Sequence, residues 1–240
     1  MIYAEILAGG KGSRMGHTEM PKQFLTIGDK PIIIHTLEAF LLNHRFEKII
    51  VVTPKQWMGH TEDIISKYLP SEMTGRICVC EGGTDRNESI MSGIRYIEAN
   101  YGINDEDIIV THDAVRPFLT HRIIEENIDL ALEFGATDTV VPAFDTIIAS
   151  EDGVVVTDIP RRDQMYQGQT PQSFNIKKLT SLYNSLTTEE KEILTDAAKI
   201  FVVKGQPVHI VKGEVFNMKI TTQYDLKIAN SFVKGERDAK

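Results

Sequence analysis

The stretch that decides the fold spans residues 2–16, which read Ile-Tyr-Ala-Glu-Ile-Leu-Ala-Gly-Gly-Lys-Gly-Ser-Arg-Met-Gly, and Pro21-Lys22-Gln23 follows shortly after. Its first half is a short apolar run of the kind that forms a buried strand. Its second half is a loop with four glycines, and Lys11, Arg14 and Lys22 bring three cations to the same place. Glycines let backbone N–H groups approach a bulky anion, and the cations supply counter-charge. The stretch therefore predicts a strand followed by a triphosphate-binding loop.

Two better-known glycine loops do not fit this spacing. A P-loop needs G-x-x-x-x-G-K-[ST], which is absent, and a dinucleotide site needs G-x-G-x-x-G, whereas the loop reads Gly10-x-Gly12-x-x-x-Gly16. The next predicted strand ends in Thr53-Pro54 and lacks the acidic residue that holds the ribose of a dinucleotide. These differences disfavour an NAD-dependent oxidoreductase. A plain strand–turn–helix remains the alternative to phosphate binding.

Composition limits the classes of protein to which the chain can belong. Its 240 residues, 42% hydrophobic and 25% charged, can bury a substantial core and argue against global disorder. The net charge of −8 argues against nucleic-acid or membrane-surface partners, so an anionic substrate needs a local cationic cluster. Cys78 and Cys80 are expected to be strand thiols. We see no basic leader and no apolar run of about 20 residues, and therefore expect a cytoplasmic protein.

Strand-like runs alternate with helical patterns, which predicts an α/β fold with a mostly parallel mixed sheet. The predicted strands lie at 48–53, 76–80, 107–111, 139–141 and 208–212, and the predicted helices at 31–42, 56–68, 88–101, 120–134, 176–185, 188–198 and from 223 onward. Short strand-like pieces after Pro142, joined by a Glu-Asp-Gly turn, predict a protruding β-arm at about 143–170. We expect one domain over residues 1–240 that carries this arm.

Polar and glycine-rich segments follow the predicted strands, and open α/β sheets bind ligands at that edge. Gly82-Gly83 opens a segment that can either present backbone groups to a flat base or form a tight turn before a helix. Asp113 ends an apolar strand and can bind Mg²⁺, with an N-cap or an ion pair to Arg116 as the alternative. His112 is expected to be a packed or hydrogen-bonded residue rather than a proton carrier.

Six separated motifs carry a resemblance to a known family. The first combines Leu-Ala-Gly-Gly-x-Gly-Ser-Arg-Met at 7–15 with Pro-Lys-Gln-Phe at 21–24. The other five are His-Asp-Ala-Val-Arg-Pro at 112–117, Asp-Thr at 145–146, Thr-Pro-Gln at 170–172, Leu-Thr-Asp-Ala at 194–197 and Asn-Met-Lys-Ile-Thr at 217–221. The set resembles the sugar- and polyol-phosphate nucleotidyltransferases, most closely the cytidylyltransferase branch of methylerythritol-phosphate and ribitol-5-phosphate enzymes. The similarity runs from residue 2 to about residue 230.

The resemblance implies a Rossmann-like three-layer nucleotidyltransferase fold, a homodimer that pairs through the arm, and Mg²⁺ or another divalent cation as cofactor. It also assigns roles to single residues. Arg14 and Lys22 would stabilise charge on the α-phosphorus and on the leaving pyrophosphate. Lys219 would reach the α-phosphate and the acceptor. Arg162 would hold the acceptor phosphate, from its own or the partner subunit, although a double arginine on an arm also fits solvated surface charge.

These assignments give a complete set of expected site residues. The catalytic residues are Arg14, Lys22, Lys219 and Arg162, and the metal-binding residue is Asp113. The residues that bind CTP are Leu7, Ala8, Gly9, Gly10, Gly12, Gly82, Gly83, Thr84, Asp85, Arg86, Asn87, Glu88, Ser89, Asp113 and Ala114. The residues that bind the acceptor are Thr146, Arg162, Thr195 and Lys219. The family's usual Thr-Asp-Glu-Ala reads Thr-Asp-Ala-Ala here, so Ala197 cannot supply the role of that acid.

The expected reaction is the transfer of CMP from CTP to a small polyol phosphate, with release of pyrophosphate. The sequences flanking the motifs, such as 111–122 and 165–174, resemble ribitol-5-phosphate enzymes, which implies D-ribitol 5-phosphate as acceptor and CDP-ribitol for teichoic acid or capsule as product. The alternative acceptor is 2-C-methyl-D-erythritol 4-phosphate of isoprenoid synthesis. An NAD(P)-linked oxidoreductase and a non-catalytic nucleotide-binding module are less favoured. The family's pathway suggests association with a ribulose-5-phosphate reductase.

Overall fold

A seven-stranded mixed sheet forms the centre of the protein, in a computed structural model that describes residues 1–10 and 20–238. The strands are β1 (Ile2–Leu7), β2 (Thr26–Ile27), β3 (Lys30–Pro31), β4 (Lys48–Thr53), β5 (Ile77–Glu81), β6 (Ile108–Asp113), β7 (Ala136–Pro142), β8 (Tyr166–Asn175) and β9 (His209–Lys212). The sheet order is β5-β4-β1-β6-β8-β7-β9, and β2 pairs with β3 in a separate ribbon. Among the described strands of the seven-stranded sheet, only β8 runs antiparallel to its neighbours. The predicted mostly parallel mixed sheet is confirmed.

Helices cover both faces of the sheet. They are α1 (Ile32–Leu41), α2 (Met58–Tyr68), α3 (Ser71–Thr74), α4 (Arg86–Tyr101), α5 (His121–Phe134), α6 (Ile176–Asn184), α7 (Thr188–Glu192), α8 (Ala198–Val203) and α9 (Gln223–Asp238). Side chains alternate between the two faces of a strand. Ala4 and Ile6 of β1 accordingly pack in a core with α1, α2 and α5, whereas Tyr3 packs with α4, α6 and α8. Of the helices in the described residues, none is long and apolar enough to cross a membrane.

Helix ends follow local capping chemistry. The Thr120 side chain accepts a hydrogen bond from the N–H of Ile123 and caps α5, and Gly135 ends that helix with a φ of 85°, in agreement with the helix predicted at 120–134. Helix α4 begins at Arg86, two residues earlier than expected. The reason is that Asp85 caps it, since its side chain accepts a hydrogen bond from the first-turn N–H of Glu88.

The predicted helix at 188–198 is instead two short helices, α7 and α8. Thr187, not the expected Thr188, caps α7 in a reciprocal capping box with Glu190. A second start follows at Asp196, whose carboxylate accepts a hydrogen bond from the N–H of Lys199 in α8. Two successive helix starts therefore interrupt what reads as one pattern, and residues 193–197 become a loop at the carboxyl edge of the sheet.

Strand β8 corrects the predicted extent of the arm. Residues 165–167 and 170–172 were expected to lie in and beside the arm, but residues 166–175 form one ten-residue strand between β6 and β7. The hydrogen-bonding edges of β6 and β7 would otherwise lie open, and an antiparallel strand satisfies both. The arm therefore ends before Tyr166.

The arm itself, residues 143–165, is less regular than the predicted hairpin. A single bridge joins Ala149 to Asp158, and the Asp152 carboxylate accepts hydrogen bonds from the N–H groups of Val154 and Val155 at the turn. The expected strands at 143–149 and 153–157 do not form within the chain. These residues have no sheet of their own to pair with, and Val154 is 85% exposed.

Candidate active site

A cavity of about 380 Å³ lies at the carboxyl ends of β1 and β6, beside the first turn of α4. Its described wall consists of Leu7, Ala8, Gly9, Gly10, Lys22, Gln23, Gly83, Thr84, Asp85, Arg86, Ser89, Asp113, Ala114, Val115 and Lys219. Parallel strands end at the same edge of the sheet, so loops that are distant in sequence meet there. Most of the residues expected to bind CTP lie in this wall. Arg14 and Gly12 lie outside the described residues.

Gly9 and Gly83 differ in what their missing side chain allows. A Cβ on Gly9 would meet no heavy atom of residues 1–10 or 20–238 within 4 Å, and Gly9 lines the cavity. A Cβ on Gly83 would lie 2.6 Å from the carbonyl carbon of Glu88 in α4. Glycine at 83 is thus required by packing against the helix, whereas glycine at 9 leaves room for a ligand.

The start of α4 lies between two cavities. Asp85 and Ser89 are four residues apart and lie on the same side of the helix, and both line the first cavity. Asn87 and Glu88 instead line a neighbouring cavity of about 520 Å³ together with Tyr183, and Asp85 lines both cavities. Gly82, Asn87 and Glu88 were expected to bind CTP, and none of them is among the described residues of the first wall.

A single buried carboxylate organises the charges at the base of the cavity. Asp113 pairs with Arg86 through Oδ1, with Arg116 through Oδ2 at 3.3 Å, and with Lys219 through Oδ2 at 2.9 Å. Burial alone would raise the pKa of Asp113, but the charges of Arg86, Lys219 and Arg116 hold it well below its ordinary value. Three cations around one carboxylate leave an excess of positive charge, in a chain whose net charge is −8. A polyanion can bind where that excess is open to the cavity.

A buried hydrogen-bond chain fixes the position of Asp113. Its N–H donates to Thr170 Oγ1 at 3.2 Å, and this hydroxyl donates to His112 Nδ1 at 2.9 Å. His112 Nε2 lies 3.0 Å from the carbonyl oxygen of Arg116 and must therefore donate to it. This pattern requires neutral His112, and burial lowers the pKa of His112 to about 4. The structure agrees with the expected packed and hydrogen-bonded role of His112.

Arg116 links two of the family motifs. Besides Asp113, it donates through Nη1 to the backbone oxygen of Asn217 at 2.8 Å. The side chain of Asn217 in turn donates to the backbone oxygen of Thr170 at 2.8 Å. These bonds anchor the segment that carries Lys219, so that its ammonium group reaches the cavity. Arg116 thus contacts both Asp113 and the Asn217 segment, and its ion pair with Asp113 is the alternative that the sequence left open beside metal binding.

Lys22 and Gln23 approach the same cavity from a 3₁₀ turn, Lys22–Phe24. Gln23 is buried, and its Nε2 donates to the backbone oxygen of Ala8 at 2.6 Å. This bond ties the turn to the end of β1. Lys22 is 8% exposed and lies beside Gly10, where an added Cβ would stand 3.7 Å from Lys22 Cε. The glycine stretch and the following Pro-Lys-Gln motif therefore form one wall.

A second, smaller cavity of about 180 Å³ adjoins the first and shares Arg86, Asp113 and Lys219 with it. Its other described wall residues are Arg116, Gly168, Gln169, Thr170, Gln172, Thr195 and Asp196. Two expected acceptor-binding residues, Thr195 and Lys219, lie in this wall. Two others, Thr146 and Arg162, lie on the arm and are absent from the described walls of both cavities. Arg162 donates to the backbone oxygen of Phe144 at 3.2 Å.

Sequence analysis missed several wall residues, and the topology explains why. Gln169 and Gln172 belong to β8, the one antiparallel strand, so its amino-terminal half lies at the edge where the other strands end. Residues 166–175 are mostly polar and include Pro171, which is unusual within a sheet, so little in the sequence indicates a strand there. Asp196 was within a quoted motif but had no role, and Gln23 and Val115 were likewise left without one.

The residues present could bind a metal ion only together with a bound nucleotide. Among the described residues, no group of three or more His, Cys, Asp and Glu side chains could hold a metal ion. Asp113 is the buried carboxylate of the cavity, and both of its oxygens already contact cations. Mg²⁺ usually binds one or two carboxylates together with phosphates and waters. A triphosphate would therefore have to supply most of its ligands.

The fold and the cationic cavity together define a nucleotidyltransferase, an enzyme class that handles a nucleoside triphosphate at the carboxyl edge of an α/β sheet. The chain belongs to the IspD family, described as 2-C-methyl-D-erythritol 4-phosphate cytidylyltransferase, whose family model matches residues 2–235. It is accordingly a cytidylyltransferase-type enzyme.

Solved structures agree with this family. The chain is similar to 4-diphosphocytidyl-2C-methyl-D-erythritol synthase from Anaerococcus prevotii, with 27% identity, a TM-score of 0.77, and coverage of 97% of this chain and 96% of that one. It is also similar to 2-C-methyl-D-erythritol 4-phosphate cytidylyltransferase from Francisella tularensis, with 26% identity, a TM-score of 0.78, and coverage of 96% and 98%. Both of these proteins are named for methylerythritol rather than for the ribitol 5-phosphate expected from the sequence.

Proposed function

We propose that the enzyme transfers CMP from CTP to the phosphate group of a small polyol phosphate and releases pyrophosphate. The observation that carries this proposal is the shared wall of the two cavities. Arg86, Asp113 and Lys219 line both the cavity of about 380 Å³ and the cavity of about 180 Å³. A nucleotide in the first and an acceptor in the second would therefore meet at the same cations. The 380 Å³ cavity lies at the edge where an α/β sheet binds nucleotides.

The proposed chemistry is an in-line displacement. An oxygen of the acceptor phosphate attacks the α-phosphorus of CTP, a P–O bond forms, and the bond to the β-phosphate oxygen breaks with release of pyrophosphate. A phosphate monoester has its second pKa near 6, so at pH 7 it is largely a dianion and needs no general base. The enzyme's main work is to bring two anions together and to neutralise their charge.

The chain's own residues divide this work. Lys219 lies where the two cavities join, so it can contact the acceptor phosphate and the α-phosphate together. Lys22, from the wall beside the glycine stretch, faces the remaining phosphates, and Arg14 is proposed to act with it. Bound Mg²⁺ would add charge neutralisation on the triphosphate, with Asp113 as its carboxylate ligand in exchange for one of that residue's cationic partners.

Two acceptors are candidates. The family model and the similar structures favour 2-C-methyl-D-erythritol 4-phosphate. The flanks of the sequence motifs and the chemistry of the smaller cavity favour D-ribitol 5-phosphate. Among the described residues of that cavity's wall, every side chain is polar or charged apart from Gly168. An unbranched polyol offers hydroxyl groups to such a wall, whereas a methyl branch would gain little there.

The arm and its partner remain part of the proposal. Phe144, Ile148, Val154, Val155 and Ile159 are all more than half exposed on residues 143–165. Exposed apolar clusters of this kind are typical of interaction sites, and we propose that two arms pair in a homodimer. Thr146 and Arg162 would then reach the acceptor phosphate of the partner subunit.

Use of CTP places the proposed reaction in the cytoplasm, and association with a ribulose-5-phosphate reductase is proposed for the ribitol route.

Pyrophosphate release tests this function. The enzyme is incubated with CTP and Mg²⁺, with either ribitol 5-phosphate or methylerythritol 4-phosphate, and with ATP, GTP and UTP in place of CTP as controls. We expect release that needs both CTP and an acceptor. Turnover with methylerythritol 4-phosphate alone assigns the isoprenoid reaction, and turnover with ribitol 5-phosphate alone assigns the CDP-ribitol reaction. No release with either acceptor would overturn the proposal.

A further inference from the structure

Three aromatic rings cluster at the turn that carries Lys22. Phe24 ends the 3₁₀ turn Lys22–Phe24 and is only 4% exposed. The centroid of its ring lies 4.7 Å from that of His60, with an angle of 89° between the two planes, and 5.6 Å from that of Trp57. The rings of Trp57 and His60 are 5.7 Å apart, so each ring of the cluster lies beside the other two. None of the three residues belongs to the described wall of the cavity of about 380 Å³.

Trp57 and His60 are held in place by the start of α2. Trp57 ends the 3₁₀ turn Lys55–Trp57, which follows β4, and His60 lies in the first turn of α2. The Thr61 hydroxyl donates a hydrogen bond to the backbone oxygen of Trp57 at 2.8 Å, which ties that turn to the helix. Trp57 also packs against the core that α1 and α2 share with the sheet. Trp57 and His60 thus form a fixed aromatic platform against which Phe24 packs.

The Lys22–Phe24 turn depends on outside contacts because it is only three residues long. Its N-cap residue is Pro21, whose side chain cannot cap it, and so short a 3₁₀ turn makes few hydrogen bonds of its own. Gln23 ties the turn to the end of β1. The aromatic platform holds it at Phe24, since tilted and edge-on rings attract each other beyond the burial of their surface. Lys22 precedes Phe24 by two residues, so the direction of its side chain depends on how that ring is seated.

We propose that Trp57 and His60 are positioning residues for Lys22: by holding Phe24 they fix the turn, and so place the Lys22 ammonium group against the triphosphate of the nucleotide. The inference rests on the proposed function, since it concerns a cation of that same site. The two rings act through Phe24 and not on the nucleotide. A displacement of about 1 Å can cost roughly 10²-fold in rate, so a loosened turn should lower turnover even though Lys22 is still present.

The test removes one ring from each end of α2 in the full-length enzyme. Trp57→Ala removes a ring of the platform, and Trp57→Phe keeps an aromatic ring there. Tyr68→Ala is the matched control, because Tyr68 packs against the same core at the opposite end of α2, roughly 15 Å along the helix. The readouts are kcat and KM for CTP at saturating acceptor, the KM for the acceptor, and the melting temperature. All variants are compared at a temperature at which each is folded.

A positioning role separates these readouts. Trp57→Ala should lower kcat/KM for CTP about tenfold and leave the KM for the acceptor within about twofold, because Lys22 lies in the wall of the nucleotide cavity and not in the described wall of the smaller one. Trp57→Phe should restore most of this loss. Tyr68→Ala should lower the melting temperature and leave kcat/KM for CTP within about twofold. If Trp57→Ala does not fold, His60→Ala takes its place with the same expectation.

A double-mutant cycle tests whether the platform acts through Lys22. Residues that act through one another have effects that do not add. Trp57→Ala introduced into Lys22→Ala should therefore lower kcat/KM for CTP by less than about twofold, instead of the tenfold expected in wild type.

Three results would overturn the inference. They are a normal kcat/KM for CTP in folded Trp57→Ala and His60→Ala, an equal loss in Tyr68→Ala, and a full tenfold loss when Trp57→Ala is added to Lys22→Ala. Each of them leaves cytidylyl transfer by the wild-type enzyme intact. By contrast, absence of wild-type turnover with both candidate acceptors would mean that the proposed function itself has failed.

Discussion

Lys219 Nζ lies 2.9 Å from Asp113 Oδ2, and the two residues come from segments 106 positions apart in the sequence. Asp113 ends the buried strand β6, whereas Lys219 follows the last strand and is held by the bonds between Asn217, Arg116 and Thr170. The pair occupies the junction of the two cavities. The pair therefore places the Lys219 ammonium group where the acceptor phosphate and the α-phosphate of a nucleotide would meet.

Replacement of Lys219 tests this role. Lys219→Ala should lower kcat/KM by about 10²-fold or more, as loss of one preorganised donor to a developing charge does in other enzymes. The fold should persist, because Asp113 keeps Arg86 and Arg116 as partners. Lys212→Ala, which removes an exposed lysine from β9, is the control and should leave activity unchanged. A folded Lys219→Ala variant with near-normal turnover would contradict the assignment.

The two cations of the amino-terminal stretch make a second prediction. Arg14→Ala and Lys22→Ala should each lower turnover by about 10²-fold or more, since both are proposed to neutralise charge on the triphosphate. Steady-state kinetics with CTP and the preferred acceptor measures this loss. The exposed Lys67→Ala on α2 serves as the matched control. If both variants turned over at near-normal rates, the proposed roles of Arg14 and Lys22 would have to be abandoned.

Gly9 and Gly83 give a paired prediction in which stability and ligand binding separate. Gly9→Ala should leave the melting temperature unchanged or slightly raised, because its Cβ meets no atom of the described part of the chain within 4 Å, but should raise the KM for CTP several-fold by filling ligand space. Gly83→Ala should destabilise the fold by about 1–3 kcal/mol, since its Cβ would overlap the first turn of α4. Thermal melting and CTP kinetics on both variants decide. Equal effects of the two substitutions on melting would refute the distinction.

His112 makes a prediction about stability and pH. Its pKa is about 4 in the folded protein and ordinarily 6.5, so between these values the unfolded chain binds more protons than the folded one. Stability contributed by neutral His112 is therefore present above pH 6.5 and is lost as pH falls toward 4, up to roughly 3 kcal/mol. The contribution of Asp138 to stability has the opposite sign. Its pKa in the folded protein is raised to about 6, so the free energy of unfolding that it contributes decreases as pH rises through 4–6.

The contributions of His112 and Asp138 to the free energy of unfolding oppose each other in wild type. The effect of His112 is therefore measured as the difference between wild type and a variant that lacks this histidine. The free energy of unfolding is measured from pH 4.5 to 7 for wild type and for His112→Asn. We expect the wild-type advantage to grow with pH across this range. A constant difference would show that His112 does not titrate as its burial requires.

Local patterns in the sequence predicted most of the fold. The apolar run of residues 2–7, the run of residues 48–53 and the caps Thr120 and Gly135 follow rules that operate within a few residues, and the structure matches them. The same is true of Gly9, Gly10 and Asp113, because parallel strands place their following loops at one edge. Arg86 and Asp113 follow two of the predicted strands, whereas Lys219 was assigned to the same site only from the resemblance to the family.

Features that depend on distant pairing could not be predicted in this way. Strand β8 is antiparallel, so Gln169 and Gln172 reach the site from within a strand rather than from the loop after it. Asp138 is one polar residue of an apolar strand in the sequence, and its hydrogen bond to Gln172 depends on the pairing of β7 with β8. The sequence of the arm likewise predicted more strand than the chain forms, since a single bridge, Ala149 to Asp158, is the described strand pairing of residues 143–165.

Phosphorus-31 NMR of the reaction mixture tests the central claim of cytidylyl transfer most directly. The enzyme, CTP, Mg²⁺ and the preferred acceptor should yield equal amounts of pyrophosphate and of a new diphosphate diester, in which the α-phosphorus of CTP is joined to the acceptor phosphate. Lys219→Ala should show neither product at the same time point. Formation of CDP with a doubly phosphorylated acceptor would instead indicate transfer of the γ-phosphoryl group, and would contradict the account.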